Sequence, residues 1–145
     1  MGLVINRPLE LTLSEIARQH GIAAKHPEEP VFFGGPVEVF RGLLLHRGEQ
    51  LDDDRVIAGP IKLNGSVDVL TGFLEDGMED FRLYLGYAGW GPGQLDAELA
   101  SGSWMAANLD DSYIFDLPSD QVWDRVLADM GISPATVLAG EGEIV

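Results

Sequence analysis

At 145 residues, 46% of them hydrophobic and 8% aromatic, the chain is long enough to bury a real core in one domain, and disorder is excluded. It has no cysteine, which excludes disulfide frameworks and thiolate metal sites, and no apolar run near the ~18–20 residues of a bilayer-crossing helix. The formal charge of −15 is uneven, with two Lys/Arg against fourteen Asp/Glu over residues 73–145, so the clustered cations of a nucleic-acid surface are lacking there.

Residues 2–5 read as a short buried strand, apolar and β-branched, closed by Asn6-Arg7-Pro8. Thr12-Leu13-Ser14-Glu15 is a capping box opening a helix that runs to His20 and stops at Gly21, with Ile22 placed for a Schellman arrangement. After a proline-bounded polar loop, an apolar strand at 31–33 runs into the bend Gly34-Gly35-Pro36. A strand at 40–46 follows, with Leu43, Leu44 and Leu45 buried on both faces. Asp52-Asp53-Asp54 reads as a solvated turn, and two short strands around 56–57 and 61–63 form a hairpin across Gly59-Pro60. Ser66 and Asp68 cap a helix with Val67, Leu70, Phe73 and Leu74 on one face, ended by Gly77.

Alternation at 81–85 predicts a half-buried strand. It delivers the chain into Gly86-Tyr87-Ala88-Gly89-Trp90-Gly91-Pro92-Gly93, a tight turn of glycines around two aromatic anchors, which feeds a short helix carrying Leu95 and Leu99 and closed by Gly102. Two more strands are expected at 104–109 and 113–117, split by Asp110-Asp111. Ser119 caps a helix with the buried stripe Trp123, Val126, Leu127 and Met130, ended by Gly131-Ile132, and Ser133-Pro134 starts a final helical turn. Short strands and helices without strict βαβ alternation predict a compact α+β domain.

The glycine cluster lacks the Lys and Ser/Thr of a P-loop and misses the dinucleotide-binding spacing. Asp96 and Glu98, early in the following helix, complement its dipole and would repel a phosphate. The cluster therefore reads as a structural turn before a ligand site. His20, His26 and His46 are dispersed, none with a second ligand at i+3 or i+4, so neither a metal nor a cofactor is expected. His46 ends a buried strand within reach of the acids at 49–54 and has the best claim among them to act as a base. Neither a G-x-S-x-G elbow nor a cysteine nucleophile is present. Asn6-Arg7 and Arg41-Gly42 set cations at strand ends, where ion pairing with local carboxylates is the plain reading.

Gly2-Leu3-Val4-Ile5-Asn6-Arg7-Pro8, Phe33-Gly34-Gly35-Pro36-Val37, Arg41-Gly42-Leu43-Leu44-Leu45-His46, Ser66-Val67-Asp68-Val69-Leu70, the stretch 85–95, Trp104 and Met130-Gly131-Ile132 together resemble the AlgH (YqgE-like) family of bacterial proteins, over nearly the whole chain. The resemblance implies an α+β fold in which a bifurcated, mixed sheet curls into a pseudo-barrel with short flanking helices, as one domain over residues 1–145. It also implies a link to transcriptional regulation of exopolysaccharide production and supplies no catalytic residues. Members of that family carry a further, strand-containing segment ahead of the Gly-Leu-Val-Ile-Asn-Arg-Pro motif. Its lack would leave a strand edge unpaired and open to homo-oligomeric contact with another copy. The tail, 140–145, fits the family pattern poorly and reads as frayed.

Two functional readings follow. The first is a non-catalytic cytoplasmic domain that binds a protein or small ligand and acts indirectly on gene expression, because the dominant motif is rich in turn residues and poor in nucleophiles. The cytoplasmic expectation rests on the lack of a signal-peptide pattern at residues 1–8. The second is a small-molecule enzyme with a cleft beside the Gly-Tyr-Ala-Gly-Trp turn. Candidate ligand-binding residues are Asn6, Arg7, Arg41, His46, Tyr87, Trp90 and Gln94. No catalytic residue is assigned, no membrane partner is expected, and direct nucleic-acid binding conflicts with the charge.

Overall fold

The structure is a computed structural model and describes residues 1–77, 80–133 and 142–145. Apolar residues at period two, cut by glycine-rich bends, build six strands: β1 (Pro8–Thr12), β2 (Pro30–Phe33), β3 (Val37–His46), β4 (Arg55–Ala58), β5 (Ile61–Asn64) and β6 (Phe81–Tyr87). Helices α1 (Leu13–Gln19), α2 (Val67–Asp76), α3 (Gln94–Ala100), α4 (Ser112–Phe115) and α5 (Val122–Asp129) flank them, α5 entered through a 3₁₀ turn at Ser119–Gln121. The strands form one mixed sheet in the order β1-β2-β6-β3-β5-β4, in which β2 and β6 are parallel and the other neighbours antiparallel. This is the expected α+β class. The sheet ends at two edges, β1 and β4, and does not close into a barrel. No described helix is long and apolar enough to cross a membrane.

Both faces of the central strands are covered. Val31, Leu44, Phe81 and Leu83 face Ile16 of α1 and Leu70, Phe73 and Leu74 of α2. Their sequence neighbours Phe32, Leu45 and Tyr84 face the other way, against Ile5, Tyr113, Ile114, Phe115, Val122 and Val126. Each fully buried side chain of this kind contributes about 1.5–3 kcal/mol. β6 is accordingly buried on both faces, not half-buried as its alternation suggests, and Tyr84 is wholly inside.

The caps at Thr12 and Ser66 form as the sequence dictates, while Ser119 lies within the 3₁₀ turn and Gln121 stands at the N-cap of α5. In α1 the Thr12 amide donates to Glu15 Oε2 at 2.9 Å. The amides of Gly21 and Ile22 reach back to Arg18 and Ala17, and those of Gly131 and Ile132 to Ala128 and Leu127, so both helices end in the Schellman pattern. The β4–β5 hairpin turns across Gly59-Pro60.

Several expectations are corrected. Residues 2–5 carry a single bridge, Gly2 with Ala88, while the ladder begins at Pro8, where an edge strand tolerates a missing amide. Residues 104–109 form no strand, and 113–117 begin as the helix α4. Asp110 Oδ1 accepts from the Ser112 amide and the Asp110 carbonyl from the Tyr113 amide, which winds the chain despite its β-favouring residues. Val67 in the first turn of α2 projects past the core at 55% exposure, and Leu95 and Leu99 of α3 are also exposed. In α5 the buried stripe is Val122, Val126 and Leu127, with Trp123 half-buried. The turn expected from Ser133-Pro134 falls largely outside the described residues.

Candidate functional site

Three segments meet where β2 and β6 leave the sheet. Gly2 exchanges main-chain hydrogen bonds with Ala88 at 2.9 and 2.8 Å, the Val4 amide donates to Gly34 O at 2.8 Å, and the Gly34 amide donates to Leu85 O at 2.8 Å. The backbones approach so closely that a Cβ on Gly34 would lie 2.2 Å from Gly86 O. Asn6 and Arg7 hold the tail here. Asn6 Nδ2 donates to Gly142 O at 2.9 Å, the Ile144 amide donates to Asn6 Oδ1 at 3.0 Å, and the Ile5 amide donates to Ile144 O at 2.9 Å. Arg7 pairs with Glu143 while lying 4.9 Å over the Phe33 ring. Residues 142–145 are therefore pinned, not frayed: an asparagine side chain offers both a donor and an acceptor and mimics a strand partner.

Beyond this junction, Glu98 of α3 collects the aromatic anchors. Its Oε2 accepts from Trp104 Nε1 at 2.7 Å and Trp90 Nε1 at 3.1 Å, and its Oε1 from Gln94 Nε2 at 2.9 Å. Those donors, Trp104 foremost, then Gln94 and Trp90, hold the Glu98 carboxyl below its usual range. The two indoles pack edge to face, 5.9 Å between ring centres. Gln94 Oε1 also accepts from the Gly91 amide at 3.0 Å. Trp90 and Gln94 thus lock the glycine turn to α3, whose own apolar residues stay outside the core. Trp90→Ala should lower stability by about 2 kcal/mol, less than the ~3–5 kcal/mol of a fully buried tryptophan because the ring is only half-buried. A thermal melt unchanged by the substitution would deny Trp90 this scaffold role.

Tyr87 and Arg41 converge on Glu38, a non-glycine residue at φ +47° in the irregular stretch of β3. Arg41 Nη1 donates to Glu38 Oε2 at 3.2 Å. Hydrogen bonds from Tyr87 first and Arg41 second lower the Glu38 carboxyl's pKa, and the same carboxylate raises that of the Tyr87 phenol. Arg41 also lines a small cavity of about 350 Å³ beside His20 and Phe40.

His46 is in the core at 1% exposure. Its Nε2 sits 2.9 and 3.0 Å from the Asp54 carboxylate oxygens, and its ring packs 5.2 Å from Phe73. Asp54 is not part of a solvated turn: its side chain is 0% exposed. Asn64 Nδ2 donates to it at 2.8 Å and the Leu51 amide at 2.7 Å. Burial alone would raise the Asp54 carboxyl, but the hydrogen bonds from His46, Asn64 and Leu51 outweigh it and hold the pKa below the ordinary value. This triad ties the loop before β4 to the ends of β3 and β5. Arg47 acts at longer range, binding Asp116 at 2.6 Å, Asp111 at 2.9 Å and Asp80 at 3.1 Å and lying 5.1 Å over Phe115. Those carboxylates, Asp116 first, raise the pKa of its guanidinium further. These partners lie 33 to 69 residues away along the chain, so the sequence carries no local signal of the pairing.

A second and larger cavity lies elsewhere, an apolar groove of about 970 Å³ between residues 1–5, the β4–β5 hairpin, the 102–109 segment and α4–α5. Leu3, Leu45, Ile57, Leu63, Trp104 and Met105 supply much of its wall, and Arg55 and Glu143 its charge. None of the seven sequence-named residues lines it. They fall into four hydrogen-bonded clusters: Asn6 with Arg7 on the tail, Arg41 with Tyr87 on Glu38, Trp90 with Gln94 on Glu98, and His46 on Asp54. The signal in the sequence that could have pointed to the groove is Arg55 and Ile57, a cation and an apolar residue two apart on one face of a short strand.

The fold and groove define a single-sheet α+β domain with an apolar cleft opening between its edge hairpin and its terminal segments. The chain belongs to the AlgH-like family, whose model matches residues 1–135. It is 42% identical over 145 residues to a UPF0301 protein of Myxococcus xanthus, covering 98% of this chain and 80% of that one. It is 41% identical over 142 residues to a UPF0301 protein of Paracoccus denitrificans, covering 92% and 75%. Among solved structures, the AlgH protein of Pseudomonas aeruginosa superposes with a TM-score of 0.78 at 33% identity, over 99% of this chain and 79% of that one. A Corynebacterium diphtheriae protein shares the fold at a TM-score of 0.70 and 19% identity, over 88% and 69%.

Proposed function

We propose that this protein is a non-catalytic, cytoplasmic binding domain whose groove takes up an apolar ligand or partner segment, and that it influences gene expression indirectly. The single observation that carries the reading is the groove itself, about 970 Å³ and walled largely by apolar side chains. His46, the candidate base, lies in the core at 1% exposure with its Nε2 on Asp54, away from the groove lining. The regulatory part rests on the resemblance to AlgH, and the charge of −15 favours action through a partner over direct contact with DNA.

A neutral, environment-sensitive dye such as Nile red should bind one per chain with enhanced emission. Met105→Glu should weaken that binding at least tenfold, because Met105 lines the groove yet is 52% exposed, so folding survives the charge. Dye binding that is absent, or indifferent to Met105→Glu, refutes the reading. The β4 edge supports a second reading, homo-oligomerisation, since Val56 and Ile57 stand 57% and 49% exposed there. Light scattering that finds only monomer across the micromolar range would discard it.

A further inference from the structure

We propose that the groove binds a free long-chain carboxylate, its acyl chain against the apolar wall and its anionic head on Arg55. This rests on the binding reading above and names the ligand class. Arg7, Arg41, Arg47 and Arg125 each pair with a carboxylate. Arg55 lines the groove, and its guanidinium has neither an ion-pair nor a hydrogen-bond partner among the described residues. What sets Arg55 apart is its place on the wall of an apolar groove, where its free guanidinium can meet an anionic head.

The acid that also lines the groove, Glu143, is neutralised by Arg7 and does not compete for Arg55. The unpaired group on the groove wall, the Arg55 guanidinium, is a donor, so the complementary ligand is an acceptor. A guanidinium grips a carboxylate through two parallel hydrogen bonds, while an acyl chain is matched by leucine, isoleucine and methionine walls. At about 970 Å³ the cavity stands at the upper end of small-molecule sites, which run ~300–1,000 Å³, and has room for a flexible chain. The negative charge elsewhere on the surface is screened beyond ~8 Å at physiological salt, so it does not forbid an anion held at Arg55.

Calorimetric titration of the full chain with octanoate, decanoate and laurate, all below their micelle concentrations, and with methyl laurate tests the proposal. Each added methylene should tighten binding about fourfold, the ~0.8 kcal/mol of a buried methylene converted at 1.4 kcal/mol per tenfold. Arg55→Gln should weaken laurate binding about tenfold and leave methyl laurate unchanged, while Arg55→Lys restores part of the loss. Arg55 is exposed on an edge strand, so these variants keep the fold. Equal binding of laurate and its methyl ester, unaffected by Arg55→Gln, overturns the carboxylate assignment and leaves apolar binding standing. Failure of both acid and ester to bind, together with failure of Nile red, overturns the binding reading itself. A dimer by light scattering at the same concentration, with no ligand uptake, makes a second copy the occupant and overturns the carboxylate.

Discussion

Gly86→Ala is expected to destabilise the protein by more than about 4 kcal/mol, a large share of the roughly 5–15 kcal/mol by which single domains are stable. Gly86 has φ +75°, and a Cβ there would lie 2.3 Å from Gly35 O and 3.1 Å from Val37 O. Both atoms are backbone, so neither can swing aside. The left-handed conformation adds roughly 1–2 kcal/mol of its own for a residue with a Cβ. Relief would require parting β6 from the bend after β2, and with it the Gly34–Leu85 hydrogen bond. Gly91→Ala in the same turn is the control: its Cβ would meet only Gln94 Oε1 at 3.8 Å, an ordinary contact, and the effect should stay within about 0.5 kcal/mol. Urea melts of the two variants check the pair. Equal tolerance of alanine at both positions would mean that the turn does not depend on close backbone approach.

Asp54→Ala should cost about 3–5 kcal/mol at neutral pH, because it leaves His46 Nε2, Asn64 Nδ2 and the Leu51 amide without their shared acceptor. The pH dependence has a definite sign. The folded-state pKa of Asp54 is lowered, so its contribution is fully present above the unfolded value of about 3.9 and is lost as the pH falls through the folded one. The stability gap between wild type and Asp54→Ala should therefore be full at pH 7 and shrink below about pH 4. Comparing the two proteins at each pH cancels the other carboxylates. A gap that is constant from pH 7 to pH 3 would show that the charge on Asp54 contributes nothing.

Much of this molecule is written locally. The capping box at Thr12, the Schellman endings at Gly21 and Gly131, the hairpin across Gly59-Pro60 and the burial of Leu43–Leu45 depend on neighbours within a few residues and on period, and all appear as read. The proximity of His46 to the acids at 49–54 was also legible, since eight residues and one turn separate it from Asp54. The aromatic and β-branched content of 113–117 misleads because the Asp110 side chain and carbonyl take the Ser112 and Tyr113 amides and nucleate a helical turn.

The amino-acid sequence by itself determined the family, through the resemblance of its motifs, and the α+β class, the helix ends and the glycine turn, through short-range sterics and periodicity. The tertiary structure alone decided that Glu98 would gather two indoles, that Arg47 would bind three acids as many as 69 residues away, that Asn6 would clasp the tail, and that an apolar groove would open beside an unpaired Arg55. Those contacts join residues far apart along the chain. A charge carries no address in one dimension, and its partner is chosen only when packed layers bring distant side chains within hydrogen-bonding reach.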